Sequence, residues 1–246
     1  MTQARKVALV TGGSRGLGRG VVEALIARQT EVLAVARDAS RLASLAQETG
    51  ARTEAVDVTD ERAITRLVRD VQPHLLVLCA GATPEMRPIQ LHSWRTFSEN
   101  WETDTKATFA FLREALLLPF APNTHVIVVS SGAALNGSPL SGGYAGAKRA
   151  QWFLADYAAK ESARLGLGLR LHCLLPALSP RTDLGMKAIT AYAAREGISA
   201  TASIERMQAP LTPAIFGQAV VELFEHPDRY LELAYRVGGA GLATLA

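Results

Sequence analysis

The feature that most constrains the fold is a regular alternation of short apolar runs with single helical segments along the chain. Residues 6–11 and 31–36 have the length and composition of buried strands, and one helical pattern follows each of them. Strands separated by single helices form βαβ units, which build a parallel sheet with helices on both faces. The pattern predicts one doubly wound α/β domain over residues 1–246, with seven strands in a mostly parallel sheet. The predicted strands are 6–11, 31–36, 52–58, 74–80, 124–130, 168–175 and 230–237.

The helical segments between these strands carry their own start signals. A helix over 40–49 would have Ser40 or Asp38 as its N-cap, and the next helix would begin at Asp60. A long helical region spans 91–118, and another begins near Tyr144 and continues to about residue 166. A further helix is predicted over 212–225.

Composition excludes several classes of protein. With 48% hydrophobic and 20% charged residues the chain can build a core and is not disordered. Its apolar runs are shorter than the about 18 residues of a membrane span, and its N-terminus has no signal-peptide pattern. The net charge is +3, but Lys and Arg are spread over the whole length, and the five histidines have no metal-ligand spacing. Cys79 and Cys173 lie in apolar runs, which is typical of buried free thiols in a reduced compartment. We therefore expect a cytoplasmic protein that binds no nucleic acid, membrane or metal.

A glycine-rich turn, Thr11-Gly12-x-x-x-Gly16-x-Gly18, lies between the first predicted strand and the first predicted helix. Glycine lets the backbone turn sharply and approach a pyrophosphate, whose charge the N-terminus of the following helix stabilises. The alternative is a flexible glycine loop without a ligand. The position of the turn, directly between a strand and a helix, favours dinucleotide binding.

Tyr144 and Lys148 are four residues apart, which places them on one face of a helix. Tyrosine normally titrates near pH ~10, too high for proton transfer at neutral pH. A fixed ammonium nearby favours the phenolate and lowers the tyrosine pKa. The pair is therefore a candidate acid/base, although Tyr and Lys also meet at this spacing by chance.

The two motifs together resemble those of the short-chain dehydrogenase/reductase family of oxidoreductases, over nearly the entire chain. The resemblance implies a Rossmann-type fold and the interconversion of a carbonyl and an alcohol with a nicotinamide cofactor. It implies that Tyr144 transfers the proton, that Lys148 lowers its pKa and binds the nicotinamide ribose, and that Ser131 or its neighbour Ser130 holds the substrate oxygen. The positions that match the family's cofactor-binding residues are Gly12, Ser14, Arg15, Gly16, Leu17, Gly18, Asp57, Val58, Ala80, Gly81, Tyr144, Lys148 and Thr182.

The charge around the second strand predicts the choice of cofactor. Family members that use NAD have an acidic residue at the end of this strand, and here that position is Ala36, followed by Arg37. Arg15 lies within the glycine turn on the same side. Two guanidinium groups suit a 2′-phosphate, which arginine binds bidentately. We therefore expect NADP(H) as the cofactor.

The long helix departs from the family pattern. Relatives have an asparagine there that binds a water of the proton relay, whereas the matching position in this chain is Asp104. Asn100, one turn earlier, matches that position poorly. Three states of Asp104 are open: a charged carboxylate that competes with Tyr144 for Lys148, a protonated carboxyl in a dry site, or a side chain turned away from the site.

Three further expectations concern the substrate, the assembly and an alternative function. Residues 177–210 follow the sixth predicted strand, at the edge where such sheets bind ligands, and would form a long loop that acts as a mobile lid over a small-molecule carbonyl or alcohol substrate. The helices near 91–118 and 142–166 would pair across a two-fold axis into a homodimer or homotetramer, which would bury their excess of apolar residues: Phe109, Phe111, Leu116, Trp152, Phe153 and Tyr157. A non-catalytic dinucleotide sensor or scaffold is the alternative function, but such a protein has no reason to keep Ser131, Tyr144 and Lys148 together.

Overall fold

Eight strands form one sheet with the order β3-β2-β1-β4-β5-β6-β7-β8 in the computed structural model, which describes residues 6–118 and 120–245. The strands are β1 (Val7–Thr11), β2 (Glu31–Ala36), β3 (Arg52–Ala55), β4 (Leu75–Leu78), β5 (His125–Val129), β6 (Arg170–Pro176), β7 (Ala234–Gly238) and β8 (Gly241–Thr244). All neighbouring pairs from β3 to β7 are parallel, and β8 runs antiparallel to β7. The predicted doubly wound α/β fold is confirmed. The predicted number of seven strands is wrong by one, because the four-residue β8 is too short to give a pattern.

Helices cover both faces of the sheet and enclose two hydrophobic cores. The helices are α1 (Gly16–Ala27), α2 (Ala39–Thr49), α3 (Glu61–Val71), α4 (Trp94–Asn100), α5 (Lys106–Leu117), α6 (Ala133–Asn136), α7 (Gly142–Leu165), α8 (Asp183–Glu196), α9 (Ala200–Glu205) and α10 (Pro213–Glu225). The core on one face joins the sheet to α1, α2 and α10, and the core on the other joins it to α3, α5 and α7.

The alternation of side chains along each strand divides the apolar residues between these cores. In β1, Ala8 and Val10 belong to the first core and Leu9 to the second, and all three are fully buried. A strand buried on both faces is apolar at every position, as the sequence pattern indicated. This layering leaves the ends of the strands, rather than the faces of the sheet, as the place for a ligand.

Several predicted boundaries change in the structure. Asp38, not Ser40, caps α2, since its carboxylate accepts the N–H of Arg41, and Asp60 caps α3 as predicted. The predicted strand over 52–58 ends at Ala55. Residues 177–210, predicted as a loop, contain α8 and α9.

The predicted helix over 91–118 is not continuous. It consists of α4, a π-helical turn over Trp101–Thr105 and α5. Such a turn inserts an extra residue into a helix and is often found at functional sites. We refer to Trp101–Thr105 as the π-turn.

Both cysteines are free thiols. Cys173 is fully buried in β6, whereas Cys79 follows β4 and is only partly buried. Burial raises the pKa of Cys79 to about 11 and that of Cys173 to about 12, so both thiols stay protonated at neutral pH. No helix within residues 6–118 and 120–245 is long and apolar enough to cross a membrane.

Candidate active site

A cleft of about 680 Å³ opens at the carboxyl ends of the central strands, between the glycine turn, α7 and the start of α8. Doubly wound sheets bind their ligands at this edge, where the strand order reverses. Every predicted site residue except Ser131 lines the cleft. These residues are Gly12, Ser14, Arg15, Gly16, Leu17, Gly18, Arg37, Asp57, Val58, Ala80, Gly81, Asp104, Tyr144, Lys148 and Thr182. The structure therefore brings them to one surface, while their individual roles stay predictions.

The glycine turn has a backbone that other residues would not adopt. Gly12 has a φ of +67° and donates its N–H to the carbonyl of Val35 at 2.8 Å. A Cβ at Gly18 would lie 2.2 Å from the carbonyl oxygen of Gly12, so α1 can approach the turn only without a side chain there. The N-cap residue of α1, Arg15, gives the helix no side-chain hydrogen bond. The first N–H groups of α1 are thus available to an anion, which fits the pyrophosphate of a dinucleotide.

Asp104 lies in the π-turn with only 1% of its surface exposed. Its Oδ1 accepts the N–H of Ala82 at 2.8 Å, and its Oδ2 lies 3.1 Å from Nζ of Lys148. Asn100 donates from Nδ2 to both carboxylate oxygens, at 3.3 and 3.4 Å. Asp104 therefore faces the site and contacts the predicted catalytic lysine, so it has not turned away.

Lys148 is buried, with 5% of its surface exposed, between Asp104 and Tyr144. Its Nζ also donates to the carbonyl of Val129 at 3.3 Å and lies 5.5 Å from the centre of the Tyr144 ring. Burial lowers the pKa of Lys148, but the attraction of Asp104 and of Tyr144 outweighs it, and the net pKa is raised. The lysine is therefore a fixed positive charge at neutral pH.

Tyr144 is held beside this charge, yet its pKa is raised above the ordinary tyrosine value. Burial is the largest cause, and it outweighs the lowering by Lys148 and by a hydrogen bond with Ser131. The Asp104 carboxylate raises the pKa of Tyr144 further. The net direction is thus opposite to that predicted from the Tyr–Lys pair alone. In this site the phenol is the favoured form.

The structure separates the two candidate serines. Ser130 is buried, and its hydroxyl donates a hydrogen bond to the carbonyl of Lys148 at 2.7 Å, which links the end of β5 to α7. Ser131 is partly exposed, its side chain lowers the pKa of Tyr144, and its Oγ accepts the N–H of Ala133 at 3.2 Å. Ser131 is therefore the serine that acts on the tyrosine hydroxyl.

The predicted adenosine end of the cleft is exposed and polar. Arg37 follows β2 and is exposed, and Val58 is buried against the second core. Asp57 accepts the N–H and the hydroxyl of Thr59 at 2.9 and 2.8 Å. These two bonds lower the pKa of Asp57 and fix it as an anion at the mouth of the cleft.

Thr182 lies beside the glycine turn at the start of the lid. Its Oγ1 accepts the N–H of Gly185 at 3.0 Å and donates to the carbonyl of Ser179 at 3.2 Å, so it caps α8. A Cβ at Gly16 would lie 3.5 Å from its methyl group. The hydroxyl of this predicted cofactor-binding residue is therefore already engaged by the lid backbone, and it can accept but not donate a further hydrogen bond.

Asn100 and Arg41 also belong to the site, and the sequence analysis did not assign them to it. Besides Asp104, Asn100 binds the carbonyl of Ala82 at 2.9 Å and is 1% exposed. Its one sequence signal is the four-residue spacing to Asp104. Arg41, in the first turn of α2, lines the cleft beside Arg37. Its signal in the sequence is a second arginine four residues after Arg37.

Comparison with known proteins gives a consistent result. A family model described as short chain dehydrogenase matches residues 6–193. An uncharacterized oxidoreductase of Mycobacterium tuberculosis is 32% identical over 152 residues, which is 60% of this chain and 59% of that relative. The matched segment therefore spans about three fifths of that relative's length. The hydroxynaphthalene reductase arp2 of Aspergillus fumigatus is 28% identical over 219 residues, covering 84% of this chain and 77% of the relative. A solved short-chain type dehydrogenase/reductase from Mycobacterium ulcerans is 26% identical, covers 98% of this chain and 92% of its own, and superposes with a TM-score of 0.81.

Proposed function

The chain belongs to the short chain dehydrogenase family and is an oxidoreductase of that type, and we propose that it interconverts a carbonyl and an alcohol with NADP(H), using Tyr144 as the proton donor and acceptor. One observation carries the proposal. The buried ammonium of Lys148 lies between Asp104 and the Tyr144 ring in a cleft whose other end is the glycine turn. Such a site has a proton donor and a fixed charge at one end and an anion-binding backbone at the other.

The bound nicotinamide would supply or accept the hydride at the substrate carbon. In reduction, the Tyr144 phenol would give its proton to the substrate oxygen as negative charge develops there. Ser131, whose side chain acts on the Tyr144 phenol, would donate to the same oxygen and hold it in place. Lys148 would stabilise the phenolate that remains. In oxidation the same groups act in reverse, with the phenolate taking the proton.

Asp104 would keep Lys148 charged and in position rather than touch the substrate. Its carboxylate shares the ammonium with Tyr144, which favours the phenol over the phenolate. A protonated tyrosine is the form that reduction needs at the outset. We therefore propose reduction as the direction for which the site is arranged near neutral pH.

The arginines support NADP(H) over NAD(H). Arg15 and Arg37 line the end of the cleft where the adenosine ribose would lie, and Ala36 offers that ribose no carboxylate. Within the part of the chain that the structure describes, Arg37 makes no hydrogen bond or ion pair with another side chain. Its charge acts on the nearby Asp57, but its N–H groups are not engaged by a side chain and suit a phosphate.

We also propose a cytoplasmic homodimer or homotetramer. The two free thiols are consistent with a reducing compartment. Phe109 on α5 and Phe153 and Tyr157 on α7 are 50%, 65% and 56% exposed, which supports association through these helices. Phe111, which the sequence also suggests for this surface, is instead in the core, 1% exposed.

The experiment is cofactor-dependent turnover on a panel of ketones, aldehydes, quinones and alcohols, followed by the absorbance of the reduced nicotinamide. Hydroxynaphthalene-derived compounds belong in the panel because one relative carries that name. We expect turnover with NADPH at least tenfold better than with NADH, since a hydrogen bond to a charged group contributes about 1.5–3 kcal/mol. Arg37→Ala should remove most of this preference. No turnover on any panel member, or a preference that Arg37→Ala leaves unchanged, would contradict the proposal.

A further inference from the structure

The entrance to the proposed cofactor cleft contains a carboxylate held between two arginines. Oδ2 of Asp183 lies 2.8 Å from Nη1 of Arg15 and 3.5 Å from Nη1 of Arg41. The three residues come from separate elements, since Arg15 is in the glycine turn, Arg41 in the first turn of α2 and Asp183 at the start of α8. All three line the cleft together with Arg37.

The ion pairs of Asp183 are exposed, so a ligand anion can replace the carboxylate. The side chains of Arg15, Arg41 and Asp183 are 51%, 47% and 68% exposed, and ion pairs at such exposure contribute little to stability. The hydrogen bond from Arg15 is the largest cause that lowers the pKa of Asp183, so the carboxylate is charged at neutral pH. A phosphate carries more charge and more acceptor oxygens than a carboxylate and pairs more strongly with guanidinium groups.

We propose, resting on NADP(H) as the cofactor, that Asp183 determines cofactor specificity as an internal competitor for the 2′-phosphate, and that Arg41 is a third arginine of the phosphate subsite. In the protein without cofactor, Asp183 pairs with Arg15 and shares Arg41 with Asp38, whose Oδ2 lies 3.3 Å from Nε of Arg41. NADPH displaces the carboxylate with its 2′-phosphate, whereas NADH has no group that does so. Asp183 therefore reduces the affinity for NADPH and leaves that for NADH nearly unchanged.

Other contacts hold α8 when Asp183 is displaced. Lys187 donates from Nζ to the carbonyl of Pro84 at 2.7 Å, and the hydroxyl of Tyr192 is hydrogen-bonded to Ser138. These contacts reach the loops after β4 and β5 rather than the arginines. Lys187→Met is therefore a matched control, because it removes a contact of the same helix without altering the phosphate subsite.

The experiment compares dissociation constants for NADPH and NADH in the parent, Asp183→Asn, Arg41→Met and Lys187→Met, from titrations followed by nicotinamide fluorescence. Asp183→Asn should bind NADPH about two- to fivefold more tightly, the range that exposed ion pairs allow, with NADH affinity unchanged. Arg41→Met should weaken the binding of NADPH by a similar factor and leave the affinity for NADH unchanged. Lys187→Met should change both affinities by the same factor. The difference between the parent and Asp183→Asn should shrink as salt is raised.

The outcomes separate this inference from the proposed cofactor. If the parent prefers NADPH but Asp183→Asn leaves the NADPH/NADH ratio unchanged or lowers it, Asp183 is not a competitor and this inference is wrong. A parent without NADPH preference in which Asp183→Asn gains NADPH affinity alone would support the inference and refute the cofactor assignment. Equal affinities in every variant would refute both. An Arg41→Met variant that binds NADPH as well as the parent would remove Arg41 from the subsite.

Discussion

Replacing Asp104 by asparagine removes one charge from the site while keeping the size and one acceptor oxygen of the side chain. That oxygen can still accept the N–H of Ala82, which lies 2.8 Å from Oδ1 in the parent. Because Lys148 Nζ is 3.1 Å from Oδ2 and 5.5 Å from the Tyr144 ring centre, the carboxylate lies within about 9 Å of that ring. At an effective dielectric constant of about 20, a charge at this distance opposes the phenolate by about 1.8 kcal/mol.

The consequence is a shift in the pH profile of Tyr144 chemistry. The Asp104 charge raises the pKa of Tyr144, so its removal lowers that pKa. An energy of about 1.8 kcal/mol corresponds to a roughly twentyfold larger ratio of phenolate to phenol at a given pH. Reduction needs the phenol, so its alkaline loss of activity should begin at lower pH in Asp104→Asn. Oxidation needs the phenolate, so the pH at which the rate of oxidation begins to rise should be lower in Asp104→Asn than in the parent.

The assay is the pH dependence of kcat/KM in both directions for the parent, Asp104→Asn, Asp104→Ala and Glu102→Gln. Asp104→Ala should be slower throughout, because it removes the counter-charge of the buried Lys148 and also the oxygen that accepts the N–H of Ala82, which Asp104→Asn keeps. Glu102, on the same π-turn, is exposed, so Glu102→Gln makes the same charge change outside the site and should leave the profile in place. Superimposable pH profiles for the parent and Asp104→Asn would refute the reasoning, and so would a shift of the Tyr144-dependent part of the profile to higher pH.

Two further predictions concern assembly and packing. Phe153→Asp, on the exposed face of α7, should reduce the mass measured by light scattering to that of a monomer. Leu231→Asp is the control, because Leu231 is also apolar and is 84% exposed outside these helices, and it should leave the mass unchanged. A parent protein that is already monomeric would contradict this prediction. Gly143→Ala should lower the free energy of unfolding by about 1–3 kcal/mol in denaturant titration, because its Cβ would lie 2.0 Å from the carbonyl oxygen of Phe97. Gly142→Ala, whose Cβ would meet its nearest atom at 3.8 Å, is the control, and equal stability of the two variants would count against the close approach of α4 and α7.

The elements that sequence alone predicted are those with a local cause. The buried strands are recognisable because every position is apolar, and the glycine turn because Gly12 and Gly18 permit a backbone that other residues exclude. The Tyr144–Lys148 pair follows from helical spacing. The predicted residues with these local causes lie together in the cleft at the carboxyl ends of the central strands.

The features that sequence reasoning missed depend on contacts between distant parts of the chain. The π-turn has no pattern of its own, and the hydrogen bond from Ala82 to Asp104 that accompanies it joins residues 22 apart. The Arg15–Asp183 pair joins residues 168 apart. The raised pKa of Tyr144 depends first on burial, which a helical spacing does not reveal.

The most direct test of the account is Tyr144→Phe, with NADPH affinity and turnover measured on the same preparation. The substitution removes only the hydroxyl that would carry the proton. Positioned proton transfer contributes about 10²–10⁴-fold, so turnover on the best panel substrate should fall by at least about a hundredfold while the NADPH dissociation constant stays within about twofold. Tyr157→Phe, which removes an exposed hydroxyl from the same helix, should retain full activity. A Tyr144→Phe variant that keeps most of its activity would contradict the assignment of Tyr144 as the catalytic acid.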